Sequence, residues 1–428
     1  MKSKQPVFSQ DHDALLAALA TTPNLLLIQD LDGVCMGLVH DPLTRTLERR
    51  YLEAAHQLGD AFQVLTNGEH IGARGVNAIV DRVFDHDAAA PSHGCYLPGL
   101  AAGGVQHQDR FGHVTHPGVS EAELAFLHTL PMRATRFLSS LLLGAPYHLE
   151  AHRVASLVAT VVLDNPASPT LNLNALHHLF QAQPALYAQL QAQVSEFMDE
   201  LLHEAEVAGL HGAFFVHYAP NLGRGDDGLE RMKPADADSA GTTDFQFMLT
   251  GAVKEAGVLM LLNQSVHRRT GRWPLGQDFN ARQAPRTLDA QVALVRERIA
   301  HEDMPILVGV GDTVTSLAHT DATGTRQLLR GGSDRGFLTL IQRLGEAFET
   351  ENRVVYIDSS GDEVKRPALD VAHLQRSAGN ASLSIFDAAR GITDADDPLR
   401  LDVVFPGGHR QYVEFFCALA QRRAASSG

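Results

Sequence analysis

Cysteine is scarce in this 428-residue chain: Cys35, Cys95 and Cys417 are all there is, and they lie far apart. An odd number so widely spread supplies neither a disulfide framework nor a zinc knuckle. Positive charge is short as well, since 35 Lys and Arg face 50 Asp and Glu and leave a formal charge of −15. A nucleic-acid binder neutralises phosphates with a Lys/Arg excess, so that class is excluded. No apolar run reaches membrane-spanning length, and the opening residues 1–13 lack the apolar stretch of a signal peptide, so the expected location is cytoplasmic. Repeats, heptads and low-complexity tracts are lacking too. Despite 22 histidines there is no HExxH, and His203-Glu204 followed by His211 has the wrong spacing for zinc. His93, His107, His113 and His116, in a Gly/Pro-rich stretch, read as surface or core histidines. Leu100-Ala-Ala-Gly-Gly104 has no following Lys-Ser/Thr, so it is no phosphate loop and reads as a strand-turn rim.

What is present is an ordinary soluble composition, 44% apolar and 20% charged, in a chain too long for a single core. Asp11–Ala20 reads as a helix. The continuous apolar run 24–29 reads as a strand buried on both faces, as in a parallel sheet, and it ends at Asp30-Leu-Asp-Gly33. A helix over 44–58, a strand over 61–65 and a helix over 72–83 continue a βα alternation. That alternation returns late, with a helix from about 253, a strand over 305–310, a helix over 335–348, a strand over 353–357 and a helix near 411–423. Between them lies material of another kind: a strand over 156–163, a long helix over 184–208, strands over 212–218 and 243–249, and a Gly/Asp-rich loop over 221–239. The expected architecture is α/β, a doubly wound parallel-sheet (Rossmann-like) core formed by 1–130 and 246–428, with an inserted α+β cap domain over 131–245.

Ligands of open α/β sheets sit at the carboxyl ends of the strands. Asp30 and Asp32 follow the first strand, Thr66 the second, and Asp312 the strand Ile306–Gly311. Two carboxylates two residues apart suit a division of labour. One attacks phosphorus to form an aspartyl-phosphate, and the other protonates the leaving alkoxide and then activates water. Acids gathered around a phosphate dianion call for a divalent cation, and oxygen ligands favour Mg²⁺. A hydroxyl, Thr66, and a lysine would hold the remaining phosphate oxygens.

These residues resemble the motifs of haloacid-dehalogenase-like phosphatases. Asp30-Leu-Asp-Gly-Val34 is similar to their first motif, Leu65-Thr66-Asn67 to the second and Gly311-Asp312 to the fourth. The resemblance implies that Asp30 is the nucleophile and Asp32 the general acid and base. It also implies that Thr66 and Asn67 bind phosphate, and that Asp30, Asp32 and Asp312 hold Mg²⁺. For the lysine of the third motif the chain offers Lys233 and Lys254; only Lys254 follows the last strand of the inserted lobe at the start of a core helix, the family setting. One departure stands out: the second acid of the fourth motif is absent, because Thr315, Ser316 and Leu317 occupy its places. Asp334, in Gly331-Gly-Ser-Asp334, is an alternative metal ligand, or else part of a helix start capped by Ser333.

A closer resemblance runs along nearly the whole chain. Gln29–Met36, Asp41-Pro-Leu43, Gly309–Ser316 and Arg330–Phe337 are similar to segments of the glucosylglycerol-phosphate phosphatases, which make the compatible solute glucosylglycerol from its 3-phosphate in salt-stressed bacteria. That implies a small sugar-phosphate substrate and no nucleic-acid or membrane partner. Sucrose-, trehalose- or mannosylglycerate-type phosphates are the alternative substrates, and a non-catalytic partner of a solute synthase is the alternative of another class. An Asp/Mg²⁺ centre recognises only phosphate, so polar residues of the inserted lobe, among them His217, Asn221, Arg224 and Asp226, are the expected readers of the sugar.

Overall fold

The computed structural model describes residues 7–85, 93–225, 229–236, 239–320, 326–377, 380 and 382–427; Asp226 lies outside them. The first eight strands along the chain are β1 (Leu25–Gln29), β2 (Phe62–Leu65), β3 (Gly99–Ala101), β4 (Gln106–Gln108), β5 (Val114–Thr115), β6 (Val162–Leu163), β7 (Thr170–Asn172) and β8 (Phe214–Ala219). They are followed by β9 (Asn221–Arg224), β10 (Glu230–Met232), β11 (Asp244–Leu249), β12 (Ile306–Gly311), β13 (Thr315–Thr320), β14 (Arg326–Gly331), β15 (Arg353–Ile357) and β16 (Val403–Phe405).

The large sheet has the order β16-β15-β12-β1-β2-β3-β4-β5, parallel from β16 to β3 and antiparallel beyond. The fold class is therefore the expected α/β one. β1 lies at its centre because its side chains serve two cores. Leu25 and Leu27 pack among the helices His12–Thr21, Arg49–Leu58 and Gly408–Ser427, while Leu26 and Ile28 pack on the other face among Lys254–Thr270, Leu288–Arg298 and Arg335–Phe348. A strand buried on both faces must be apolar at every position, and residues 25–28 are. Its neighbours β2 and β12 are far apart in sequence, so the carboxyl ends of β1, β2 and β12 meet where the chain has left the sheet and come back.

The excursion builds a second, antiparallel sheet, β6-β7-β11-β8. Along β11 polar and aromatic residues alternate as Asp244-Phe245-Gln246-Phe247. Period two sends Phe245 and Phe247 into a third apolar core with Leu171, Leu190 and Val194, and turns Asp244 and Gln246 the other way.

Several expected elements differ. Residues 156–163 are not one strand: Val154, Val158 and Val161 recur at helical spacing and bury one face of the helix Ala151–Val161, leaving only Val162 and Leu163 extended. Residue 131 falls inside the helix Glu121–Leu143, which Ser120 and Glu123 start with a capping box. The stretch 221–239 is not wholly loop, since β9 and β10 pair within it. The helices after β1 and β2 begin later than expected, at Arg49 and Val76. No helix among the described residues is long and apolar enough to cross a membrane.

The C-terminal helix Gly408–Ser427 has a specific place. Tyr412 Oη donates to Gln29 Oε1 (2.8 Å), and Gln29 Nε2 donates to Tyr51 Oη (2.6 Å), all fully buried one residue before Asp30. Tyr412→Phe leaves a buried amide oxygen without a donor and is expected to cost about 1–3 kcal/mol. Urea unfolding checks this, with an unchanged midpoint as the contrary result.

Candidate active site

Asp30 follows β1 directly, its N–H still bonded to Val310 O across the ladder. One carboxylate oxygen, Oδ1, accepts from Leu31 N–H (2.8 Å); the other, Oδ2, is 2.6 Å from Lys254 Nζ. Lys254 opens the helix Lys254–Thr270 with its side chain buried, and its ammonium also donates to Asp334 Oδ1 at 2.6 Å. Lys233 is held elsewhere, in the loop after β10, where its N–H donates to Thr242.

Asp334, and no residue of 315–317, is the acid that stands beside Asp312. The hairpin β13–β14 occupies those positions, carrying Thr315, Ser316 and Leu317 out along β13. The chain returns through Gly331 and Gly332, and Gly332 has φ +105° with Thr313 O only 2.3 Å from where a Cβ would stand. The return sets Asp334 against Asp312, so that its Oδ2 accepts from the N–H groups of Asp312 (2.9 Å) and Thr313 (3.0 Å). Asp334 is the N-cap residue of Arg335–Phe348 by position, but its carboxylate bonds no N–H of that helix and faces the site.

Asp30, Asp312 and Asp334 each present a carboxylate oxygen within 4.8 Å of the others. Gly33, two residues past Leu31, allows the approach: its φ is +75°, and a Cβ there would stand 2.1 Å from Asp312 Oδ2. Burial raises the Asp30 carboxyl above the ordinary carboxylate range, with Lys254 opposing it and Asp334 reinforcing it. Asp312 is raised too, first by burial and then by the Asp334 and Asp30 charges. Burial disfavours the Lys254 ammonium, yet the two carboxylates outweigh it and hold its pKa above the usual lysine value. Ionising all three carboxyls against one ammonium would leave two negative charges in a buried place, which is why the pKa values of Asp30 and Asp312 are raised.

Asp32 departs from the expected ligand set. Its side chain lies outside the three-acid group and pairs with Arg45 Nη1 (2.9 Å to Oδ2 and 3.2 Å to Oδ1). The reason is local geometry: successive residues of the Asp30–Gly33 turn point in different directions, and Arg45 anchors Asp32 on the side of β2. There Asp32 and the Thr66 hydroxyl flank Gly68, whose N–H donates to Thr66 Oγ1 (3.1 Å). Asp30, Asp32, Thr66, Asn67 and Asp312 line one cavity of about 110 Å³, closed on the far side by the polar face of the second sheet. A larger cavity of about 670 Å³, against Phe214, Tyr218 and Met232, contains none of these acids.

Of the expected sugar readers, His217, Asn221 and Arg224 line not this cavity but another of about 400 Å³, which Asn67 and Lys254 also line. Asn67 Nδ2 donates to His217 Nε2 (2.8 Å), which leaves the imidazole proton on Nδ1, facing Glu230 at 2.8 Å. Asn221 uses its amide oxygen on the N–H groups of Gly223 and Gly332, which fixes the return of the hairpin. Arg224 pairs with Glu230.

Arg45 and Glu69 carry no motif signal. Glu69, buried just beyond Asn67-Gly68, accepts from Ala167 N–H, Ser168 N–H and Ser168 Oγ with one oxygen, and from Gln106 with the other. Burial pushes its pKa up to about 7 against those donors. It ties the β2 loop to the loop that leads into β7.

The family model described as glucosylglycerol-phosphate phosphatase matches residues 24–420. A glucosylglycerol-phosphate phosphatase of a Synechocystis strain is 49% identical over 419 residues, covering 98% of both chains. Among solved structures, the C-terminal domain of a trehalose-6-phosphate phosphatase from C. albicans is similar over 98% of this chain and 99% of that one, at 11% identity and a TM-score of 0.46, too distant to add weight. With a family match over nearly its whole length and a relative at this identity, the chain belongs to the glucosylglycerol-phosphate phosphatase family.

Proposed function

We propose that this protein is a cytoplasmic, Mg²⁺-dependent phosphatase that hydrolyses glucosylglycerol 3-phosphate to glucosylglycerol and phosphate through an aspartyl-phosphate on Asp30. The observation that carries the reading is the buried Lys254 ammonium bonded at once to Asp30 and Asp334, with Asp312 beside them. A strand-end carboxylate so held is aimed and desolvated, as a nucleophile toward phosphorus needs to be.

The residues suit a hard divalent cation. The ligands are all oxygen, the three carboxyls outnumber the one ammonium, and Asp312 Oδ2 is buried with no hydrogen-bond partner among the described residues. Asp30, Asp312 and Asp334 would hold the ion, which would supply charge neutralisation for the phosphate as the transition state forms. In the first step an Asp30 oxygen bonds to phosphorus while the ester P–O bond breaks, and Asp32 gives its proton to the departing alkoxide. In the second, Asp32 takes a proton from water. The water oxygen bonds to phosphorus, and the Asp30 carboxylate leaves. Thr66, Asn67 and Lys254 hold the phosphate oxygens through both steps. The second lobe acts as the cap, excluding bulk water.

Two measurements test this reading. Chelation of divalent ions is expected to lower kcat by two or more orders of magnitude, the loss of several kcal/mol of transition-state stabilisation, with recovery on adding Mg²⁺. Full activity in the chelated protein would falsify the metal assignment. On a panel of sugar phosphates, kcat/KM for glucosylglycerol 3-phosphate is expected to exceed that for sucrose-, trehalose- and mannosylglycerate-type phosphates by at least about tenfold, the usual reach of a few specific polar contacts. A flat profile would replace the substrate assignment and keep the chemistry.

A further inference from the structure

We propose that Asn174, Gln246 and Arg366 form a subsite for the neutral, hydroxyl-rich part of the substrate, an inference that rests on the sugar-phosphate reading above. All three line the cavity that contains Asp30. Each has buried polar atoms with no hydrogen-bond partner among the described residues: Asn174 Oδ1, Gln246 Oε1, and Arg366 Nε and Nη1. Buried donors and acceptors are nearly always paired, and leaving them unpaired is costly, so four such atoms on three residues that line one cavity mark a place for a ligand.

The fold explains how they come together. Gln246 stands on the polar face of β11, opposite His217 on one neighbouring strand and Thr170 on the other. Asn174 starts the helix after β7; its N–H is satisfied by Asn172 Oδ1 (3.1 Å), and its own Oδ1 has no partner among the described residues. Arg366 arrives from the opposite side, in the segment after β15. Two acceptors and a fork of donors match sugar hydroxyls, which both give and accept hydrogen bonds.

The surroundings favour a neutral group over a second anion. Asp244, bonded to Asn172 Nδ2 (2.8 Å), lines the same cavity on the same face of β11 as Gln246. The Arg366 charge acts on Asp244 and Tyr187 of the second lobe and also on Tyr356 of β15, so the guanidinium stands between the two sheets. A phosphate between them would be repelled by the Asp244 carboxylate, whereas a hydroxyl could donate to it.

The experiment compares kcat/KM for glucosylglycerol 3-phosphate with that for phenyl phosphate, which has no hydroxyl-bearing group, in the parent protein and in Asn174→Ala, Gln246→Met and Arg366→Gln. Each variant is expected to reduce the ratio of the two values at least tenfold. A ratio that stays constant overturns the subsite, whether both rates hold, as when water fills the cavity, or both fall together, as when the fold is damaged. Melting temperatures tell those two outcomes apart. A parent protein active on phenyl phosphate but not on glucosylglycerol 3-phosphate overturns the substrate reading instead, and the same ratio is then taken with the best phosphate of the panel.

Discussion

Asp30→Asn is expected to lower kcat by about four orders of magnitude or more, equivalent to at least about 5 kcal/mol of barrier, with the protein still folded. The amide preserves shape, and its one oxygen can accept from Leu31 N–H or from Lys254 but not from both, so one of these donors loses its acceptor at Asp30 while Lys254 keeps Asp334. What it lacks is the anionic oxygen that bonds to phosphorus. Because burial already raises the pKa of this carboxyl, its charge is a burden on the folded state, and removing it offsets the lost acceptor, so the melting temperature is expected to change little. Single-turnover phosphate release and a thermal melt check the two halves. Near-parental turnover would remove Asp30 from the role of nucleophile, whereas lost activity with lost structure would leave Glu69 or Asp312 variants to separate folding from chemistry.

How much of this site was legible in the sequence depended on the distance over which each residue is positioned. Asp30, Thr66 and Asp312 end strands that the sequence marks plainly, because burial on both faces forces unbroken apolar runs such as Leu25–Ile28. Lys254 was legible through its setting at a helix start. Asp334 was only half legible. Acids of a motif are sought a few residues apart, and here β13 and β14 stand between Asp312 and Asp334; the signal was the Gly331-Gly332 pair, which lets the chain double back. The side-chain direction of Asp32 was not legible, because it is set by Arg45, a loop residue with no pattern of its own. For the same reason the sequence did not show which polar residues of the second lobe line the cavity with Asp30. His217 and Asn221 are as polar as Asn174 and Gln246, and only the register of the second sheet and the course of the hairpin decide which of them faces the acids. The alternation Asp244-Phe245-Gln246-Phe247 did show that β11 has one polar face, but not what that face covers. The reading of a non-catalytic partner drew on the missing acid at 315–317, and with Asp334 standing beside Asp312 that motive is gone.

Lys254→Met is expected to be the most damaging single change to both stability and activity. The ammonium is the one cation bonded to Asp30 and Asp334 among the described residues, and its side chain is 2% exposed. Removing one partner of a buried ion pair typically costs about 3–5 kcal/mol, because the charges left behind have already lost their water. Here the loss leaves two such carboxylates, with the Asp312 carboxylate close by. Methionine nearly matches lysine in length, so the cost is electrostatic and not that of a cavity. Urea unfolding in the presence of a chelator measures it directly, and an unchanged free energy would mean that the Lys254 bridge contributes nothing to the fold. If Asp30, Asp312 and Asp334 do hold a divalent ion, adding Mg²⁺ is expected to raise the melting temperature of Lys254→Met by more than that of the parent, since the ion then balances charge that Lys254 otherwise balances. Turnover is expected to stay at least about a hundredfold down even with saturating Mg²⁺, because the cation that aims Asp30 and holds a phosphate oxygen is gone. A variant that regains both stability and turnover with Mg²⁺ would reduce Lys254 to a charge-balancing residue and take it out of the phosphate-binding set.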